Sequence, residues 1–195
     1  MLSKVKTAVL VSGGGTNLQA ILDSRGSVIE SAEIALVVSS SPTAFALERA
    51  KNHGIPGLCV REEAELQRVL EEYGIELIVL AGYLKILSAD FTKRWDKRIL
   101  NVHPSLIPSF CGEGMYGLLV HEAALQKGVK VTGATVHFVN EIPDGGEIIA
   151  QKAVEVKEGD TPQVLQRRVM EEAEWVILPR AVEKTAKELR NAGLA

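Results

Sequence analysis

The chain has 195 residues, 46% of them hydrophobic and 24% charged, and a formal net charge of −3. That balance excludes wholesale disorder and argues against a general nucleic-acid binder, although a few local donors can still hold one small anion. Cys59 and Cys111 are too few for a disulfide scaffold, no apolar run is long enough to span a membrane, and Met1–Lys6 lacks the apolar stretch of a secretion signal; a single-domain cytoplasmic protein over residues 1–195 is expected.

Thr7–Val11 reads as a first strand, followed by Ser12-Gly13-Gly14-Gly15-Thr16-Asn17 and a helix from about Leu18. Glu33–Ser39 is a second strand. Ser40-Ser41-Pro42-Thr43 opens a helix over 44–52, which Gly54 and Pro56 stop. Gly57–Val60 is a short third strand, and Glu62–Tyr73 is an acidic helix with Leu66, Val69 and Leu70 on one face. Glu76–Leu80 reads as the next strand, continuously apolar from Leu77 on, as parallel strands covered on both faces are. Arg98–Val102 is the next strand and 117–126 the next helix, ended by Gly128. Two β-rich runs, Val131–Asn140 and Gly146–Val156, flank Asn140-Glu141-Ile142-Pro143-Asp144-Gly145. Asp160-Thr161-Pro162 opens a long C-terminal helix, which Pro179 is expected to bend or split. The alternation predicts the α/β class, with a Rossmann-like, doubly wound, mostly parallel sheet in a single domain. Mixed or antiparallel strands over 131–156 would lie at one side, and ligands would sit at the carboxyl ends of the strands.

Three glycines between a strand and a helix let a ligand approach the backbone, and the free N–H groups of the helix start suit an anion. Thr16 and Asn17 add side-chain donors. The dinucleotide fingerprint is absent, because Leu18 stands where its third glycine would be, and no Walker lysine follows. A tight turn without a ligand is the alternative.

Asn101-Val102-His103-Pro104-Ser105 closes an apolar run. Residues two apart on a strand share a face, so Asn101 and His103 would point together and could both donate to a developing oxyanion. Histidine can also move protons near neutral pH. Pro143-Asp144-Gly145-Gly146 is by itself a turn. It could instead set a carboxylate beside His103, 41 positions away in the chain, favouring the charged imidazole and fixing its orientation. His137 alternates with Thr135, so it faces the same site or packs in the core. His53 and His121 read as helix-surface residues, and Glu62-Glu63 and Glu171-Glu172 as solvated faces. No spacing suits a metal, and none is expected.

These motifs make the chain resemble the phosphoribosylglycinamide formyltransferase family over nearly its whole length. The landmarks are VSGGGTNLQAI, AFALERA, LIVLAGYLKILS, LNVHPSLIPSF, GATVHFVNEIPDGGEII and the GDTP and LQRRV stretch. The resemblance implies the formyltransferase fold and a reaction of two small molecules. The amine of glycinamide ribonucleotide attacks the formyl carbon of 10-formyltetrahydrofolate, and a tetrahedral intermediate collapses to formylglycinamide ribonucleotide and tetrahydrofolate. It also implies roles. Asn101 and protonated His103 would stabilise the oxyanion, His103 would transfer protons, and Asp144 would order the site. Gly15, Thr16 and Asn17 match the phosphate loop, and Glu174 matches an acidic contact to the nucleotide. Leu84, Lys85, Ile86 and Leu87 match the strip along the folate, whose polar edge Asn140, Glu141 and Asp144 would meet together with Asn101. It implies no metal, nucleic acid or membrane, and a monomer or homodimer.

Three features depart from the family pattern. Lys85 stands where arginine is common, replacing a planar fork by a point charge. Residues 111–117 form a longer, glycine-rich stretch that reads as a flap. Spacing near Glu174 shifts by about one residue, leaving Glu172 as its alternative, with helix register to decide. Formyltetrahydrofolate hydrolase would use the same Asn–His–Asp chemistry on water. It carries an additional N-terminal domain, for which a first strand at Thr7 leaves no room. Methionyl-transfer-RNA formyltransferase needs a further basic domain. A non-catalytic nucleotide-binding module would explain the glycine loop but not Asn101, His103 and Asp144 together.

Overall fold

A computed structural model describes residues 3–193. The readings that touch Met1 and Leu2, and the final residues of the expected domain, lie outside the described residues. Along the chain run β1 (Val5–Val11), α1 (Thr16–Asp23), β2 (Ala32–Ser39), α2 (Phe45–Asn52), β3 (Gly57–Cys59), α3 (Glu63–Glu72), β4 (Leu77–Leu80), α4 (Ala89–Arg94), β5 (Ile99–His103), α5 (Leu118–Lys127), β6 (Val131–Phe138), β7 (Ile148–Glu155), α6 (Pro162–Val169) and α7 (Trp175–Asn191). The sheet order is β3-β2-β1-β4-β5-β6-β7. The first five strands are mutually parallel, and β6 and β7 are antiparallel to their neighbours. This is the expected mostly parallel α/β sheet, with its antiparallel pair at one side.

Alternation along β1 divides the core. Val9 and Val11 pack on one face with α1, α2, α6 and α7, while Ala8 and Leu10 pack on the other with α3 and α4. Helices cover both faces, which is why β4 is buried at every position. The chain runs outward from β1 through β2 to β3 and then crosses back to β4 on the other side of β1, so the strand order reverses there and a crevice opens at the carboxyl ends.

Two local expectations differ from the structure. Helix α4 has no counterpart in the sequence reading. It is only six residues long, too short for a hydrophobic period, and rests on a cap in which Ser88 Oγ accepts the Phe91 N–H at 3.1 Å. The C-terminal helix runs on through Pro179, and its irregularity lies earlier, in a π turn over Met170–Glu174. The wider turn brings both Ala173 and Glu174 to the buried side.

Candidate active site

The carboxyl ends of β1, β4 and β5, the loop between β6 and β7, and the π turn enclose a cleft of about 570 Å³. Asn101 and His103 enter it from one face of β5, as the strand period requires. In the antiparallel pairing, Asn101 lies opposite His137 and His103 opposite Thr135, so His137 also belongs to this face. Only 1% of His137 is exposed, so it is at once a core residue and a member of the site.

Asp144 joins these groups. Its Oδ2 lies 3.4 Å from His103 Nδ1, and its Oδ1 lies 3.5 Å from His137 Nε2. Oδ2 also accepts the Gly112 N–H at 2.9 Å. The residue sits at φ 55°, a left-handed conformation that aspartate tolerates better than most side chains. Burial pushes its carboxyl pKa up. The His137 contact, the Gly112 N–H and the histidine charges outweigh this and hold it below the usual carboxylate value. Its other neighbour, His103, is 4% exposed, and its Nε2 bonds the Phe110 carbonyl at 2.8 Å. Both ring nitrogens of His103 therefore face acceptor oxygens, and a ring carrying both protons meets both. His137 Nδ1 faces the Phe138 carbonyl at 2.8 Å, while its Nε2 lies 3.1 Å from Asn101 Nδ2. One connected group thus contains Asn101, His137, Asp144 and His103.

Across the cleft, Gly15 precedes α1 at φ 71°. A side chain there would place its Cβ 2.7 Å from Ala46 Cβ, so both backbone angle and space require glycine. The first N–H groups of α1 have no partner within the helix. Thr16 Oγ1 contacts Met170 Sδ at 3.8 Å, and Asn17 Nδ2 donates to Glu174 Oε2 at 2.7 Å. Asn17 Oδ1 is buried with no partner among the described residues. The π turn buries Glu174 in the cleft wall and leaves Glu172 exposed.

Burial pushes the Glu174 carboxyl up to about 7, against a smaller opposing pull from the Asn17 hydrogen bond. A raised carboxyl pKa means that the folded state favours the proton. The stabilisation is fully present below the ordinary value of 4.5 and is lost as the pH rises through about 7. Glu174→Gln cannot ionise. It is expected to match wild-type stability near pH 4.5 and to exceed it at pH 8 by on the order of 3 kcal/mol. Thermal melts across that range check this, and a pH-independent difference would contradict it.

The strip over 84–87 splits. Leu84 is 65% exposed and Ile86 82% exposed at the cleft rim, whereas Leu87 is buried in the core. Lys85 Nζ turns to the Arg61 carbonyl. Leu84 N–H donates to Ser12 Oγ at 2.9 Å, which ties this loop to the glycine loop. A second cavity of about 140 Å³ adjoins the cleft and includes Leu87, Asn140, Glu141 and Asp144 in its wall. Residues 111–117 lie over the cleft, anchored by the Gly112–Asp144 bond.

His121 is not a surface residue. It is wholly buried in the first turn of α5 and borders the cleft, because α5 packs against α6 on that side. Burial and the nearby His103 lower its pKa to about 4, which keeps it neutral at physiological pH. The apolar residues of α5 are spread around the helix, so no apolar stripe marks this face. His53 is half-buried, with Nδ1 2.9 Å from the Arg49 carbonyl. Among the described residues, no group of three or more His, Cys, Asp or Glu side chains could hold a metal ion. No helix among them is long and apolar enough to cross a membrane.

Residues 5–182 match the formyl transferase family model. The chain belongs to the formyl transferase family. Among formyl transferases it is 40% identical to the phosphoribosylglycinamide formyltransferase of Haemophilus influenzae, covering 91% of this chain and 85% of that protein. It is 45% identical to the trifunctional purine biosynthetic protein adenosine-3 of Gallus gallus, over 99% of this chain but only 20% of that protein. The chain thus spans about a fifth of the length of that relative. Among solved structures, glycinamide ribonucleotide transformylase 1 of Symbiobacterium toebii superimposes with a TM-score of 0.87 at 41% identity, covering 95% of this chain and 89% of that one. A formyltetrahydrofolate deformylase of Pseudomonas syringae reaches 0.85 at 26% identity, over 95% of this chain and 62% of that one.

Proposed function

We propose that this formyl transferase moves the formyl group of 10-formyltetrahydrofolate to the amine of N1-(5-phospho-D-ribosyl)glycinamide, a step of purine synthesis. The observation that carries the reading is the convergence of Asn101, His103 and Asp144 in one cleft, opposite the glycine loop and Glu174. Gly15, Thr16 and Asn17 would hold the phosphate at the start of α1, where unpaired N–H groups and the helix dipole favour an anion. Glu174 and Asn17 would contact the rest of the nucleotide. The buried, unpartnered Asn17 Oδ1 is one group that such a ligand would satisfy. Leu84 and Ile86 offer apolar surface to a flat pterin. The smaller cavity by Leu87, Asn140, Glu141 and Asp144 offers polar groups to its edge, with Lys85 nearby.

In this reading the substrate amine forms a bond to the formyl carbon, and the formyl oxygen takes up negative charge. Asn101 Nδ2–H would face that oxygen, and the Nε2–H of protonated His103 would reach it by exchanging the Phe110 carbonyl for the substrate oxygen, while Nδ1–H stays on Asp144. The bond from carbon to the folate nitrogen then breaks. One net proton passes from the attacking amine to the departing nitrogen, with His103 as carrier. Asp144, held ionised, stabilises the charged ring throughout. The reading invokes two small-molecule substrates and no metal, nucleic acid or membrane, in a cytoplasmic monomer or homodimer.

The test mixes purified protein with 10-formyl folate, with and without glycinamide ribonucleotide, and follows folate absorbance. Turnover only with the nucleotide is expected. Equal turnover without it would replace this reading with hydrolysis, and no turnover in either case would leave a binding module.

A further inference from the structure

The segment AFALERA over 44–50 has no part in the chemistry above, yet its helix touches the glycine loop. Ala46 N–H donates to the Gly13 carbonyl at 3.2 Å. Arg49 Nε donates to the Gly14 carbonyl at 2.8 Å, and its Nη1 donates to Gln19 Oε1 on α1 at 2.9 Å. The guanidinium carbon lies 5.1 Å from the centre of the Phe45 ring, which limits where the fork can swing.

We propose that Arg49 is a positioning residue for the phosphate end of the substrate site. In a trans peptide, the carbonyl of one residue and the N–H of the next point in opposite directions. Holding the Gly13 and Gly14 carbonyls against α2 therefore turns the Gly14 and Gly15 N–H groups away from α2, toward an anion at the start of α1. Arg49 also brings charge. Its neighbour Glu48 is paired with Lys51 at 3.9 Å, and Arg49's hydrogen bonds go to neutral acceptors. The fork matters as well as the charge, since one planar group reaches Gly14 and Gln19 at once and an ammonium would not hold that geometry. This inference rests on the phosphate reading of the loop given above.

The test compares wild type, Arg49→Ala and Arg49→Lys in two ways. Calorimetry measures ribose 5-phosphate binding without turnover, and steady-state kinetics measure both substrates. Arg49→Ala is expected to weaken ribose 5-phosphate binding, and to raise KM for glycinamide ribonucleotide, by about tenfold to a hundredfold, the effect of losing a charge-assisted hydrogen bond. The kcat and the KM for formyl folate should stay within about twofold. Arg49→Lys should recover only part of the loss. Unchanged ribose 5-phosphate binding in a folded Arg49→Ala protein overturns the proposal, as does full recovery by lysine, which would reduce the role to charge. Should Arg49→Ala not fold, parity of Arg49→Lys with wild type in ribose 5-phosphate binding overturns it equally. A wild-type protein that binds ribose 5-phosphate but transfers no formyl group overturns the activity reading and leaves Arg49 standing. A wild-type protein that binds none overturns the Arg49 proposal, and one that also transfers no formyl group overturns both.

Discussion

His103→Ala is expected to lower kcat by at least about 100-fold, the low end for a lost acid–base group. Both KM values should stay within about threefold, because the group acts on the reacting atoms and not on the phosphate or pterin. The ring is 4% exposed and lies between the Phe110 carbonyl at 2.8 Å and the Asp144 carboxylate at 3.4 Å. The other titratable groups lining the cleft are engaged differently: Glu174 lies across it on Asn17. His121 is kept neutral by burial, and His137 is tied to Asn101 and the Phe138 carbonyl. Removing the ring also frees the Phe110 carbonyl, so melting temperature and both KM values are measured alongside kcat. A folded variant with near-normal kcat would remove His103 from the mechanism. A variant with kcat intact and KM raised would make it a binding group.

Asp144→Asn is expected to cost at least about 100-fold in kcat, within the range for losing an electrostatic contributor at a reacting centre. The substitution suits the test because asparagine also tolerates the left-handed backbone found there, at φ 55°. Its single amide oxygen can still accept the Gly112 N–H. It cannot serve Gly112, His103 and His137 at once, and its NH₂ would face a histidine nitrogen. The wild-type carboxyl pKa lies below the ordinary 3.8, so its stabilisation of the fold is present above that value and is lost as the pH falls through the lowered one. The stability gap between wild type and Asp144→Asn should therefore be steady near neutral pH and close in strong acid. A rate equal to wild type, or a gap that widens in acid, would contradict the role given to this carboxylate.

Much of the fold was legible because it is local. The apolar run Leu77–Leu80, the β-rich run Thr7–Val11 within β1 and the Thr161 cap with Pro162 at the start of α6 each state their element within a few residues. Helix α4 escaped because six residues carry no period, although Ser88 was a usable cap signal. The π turn escaped because nothing in Met170–Glu174 distinguishes a wide turn from an ordinary one until the packing beneath it is known.

The candidate site divides in the same way. The order of residues along the chain was enough to mark the glycine loop before a helix and to put Asn101 and His103 on one face of a strand, since strand period and glycine's backbone freedom act over neighbouring positions. Only the tertiary structure decided that Asp144 reaches both His103 and His137, that Glu174 and not Glu172 meets Asn17, that His121 is buried, and that Arg49 grips Gly14. Each of these contacts depends on which strands adjoin, how far a helix has turned, or what packs over it. Those relations are fixed by burial summed over the whole core, which no short stretch of sequence contains.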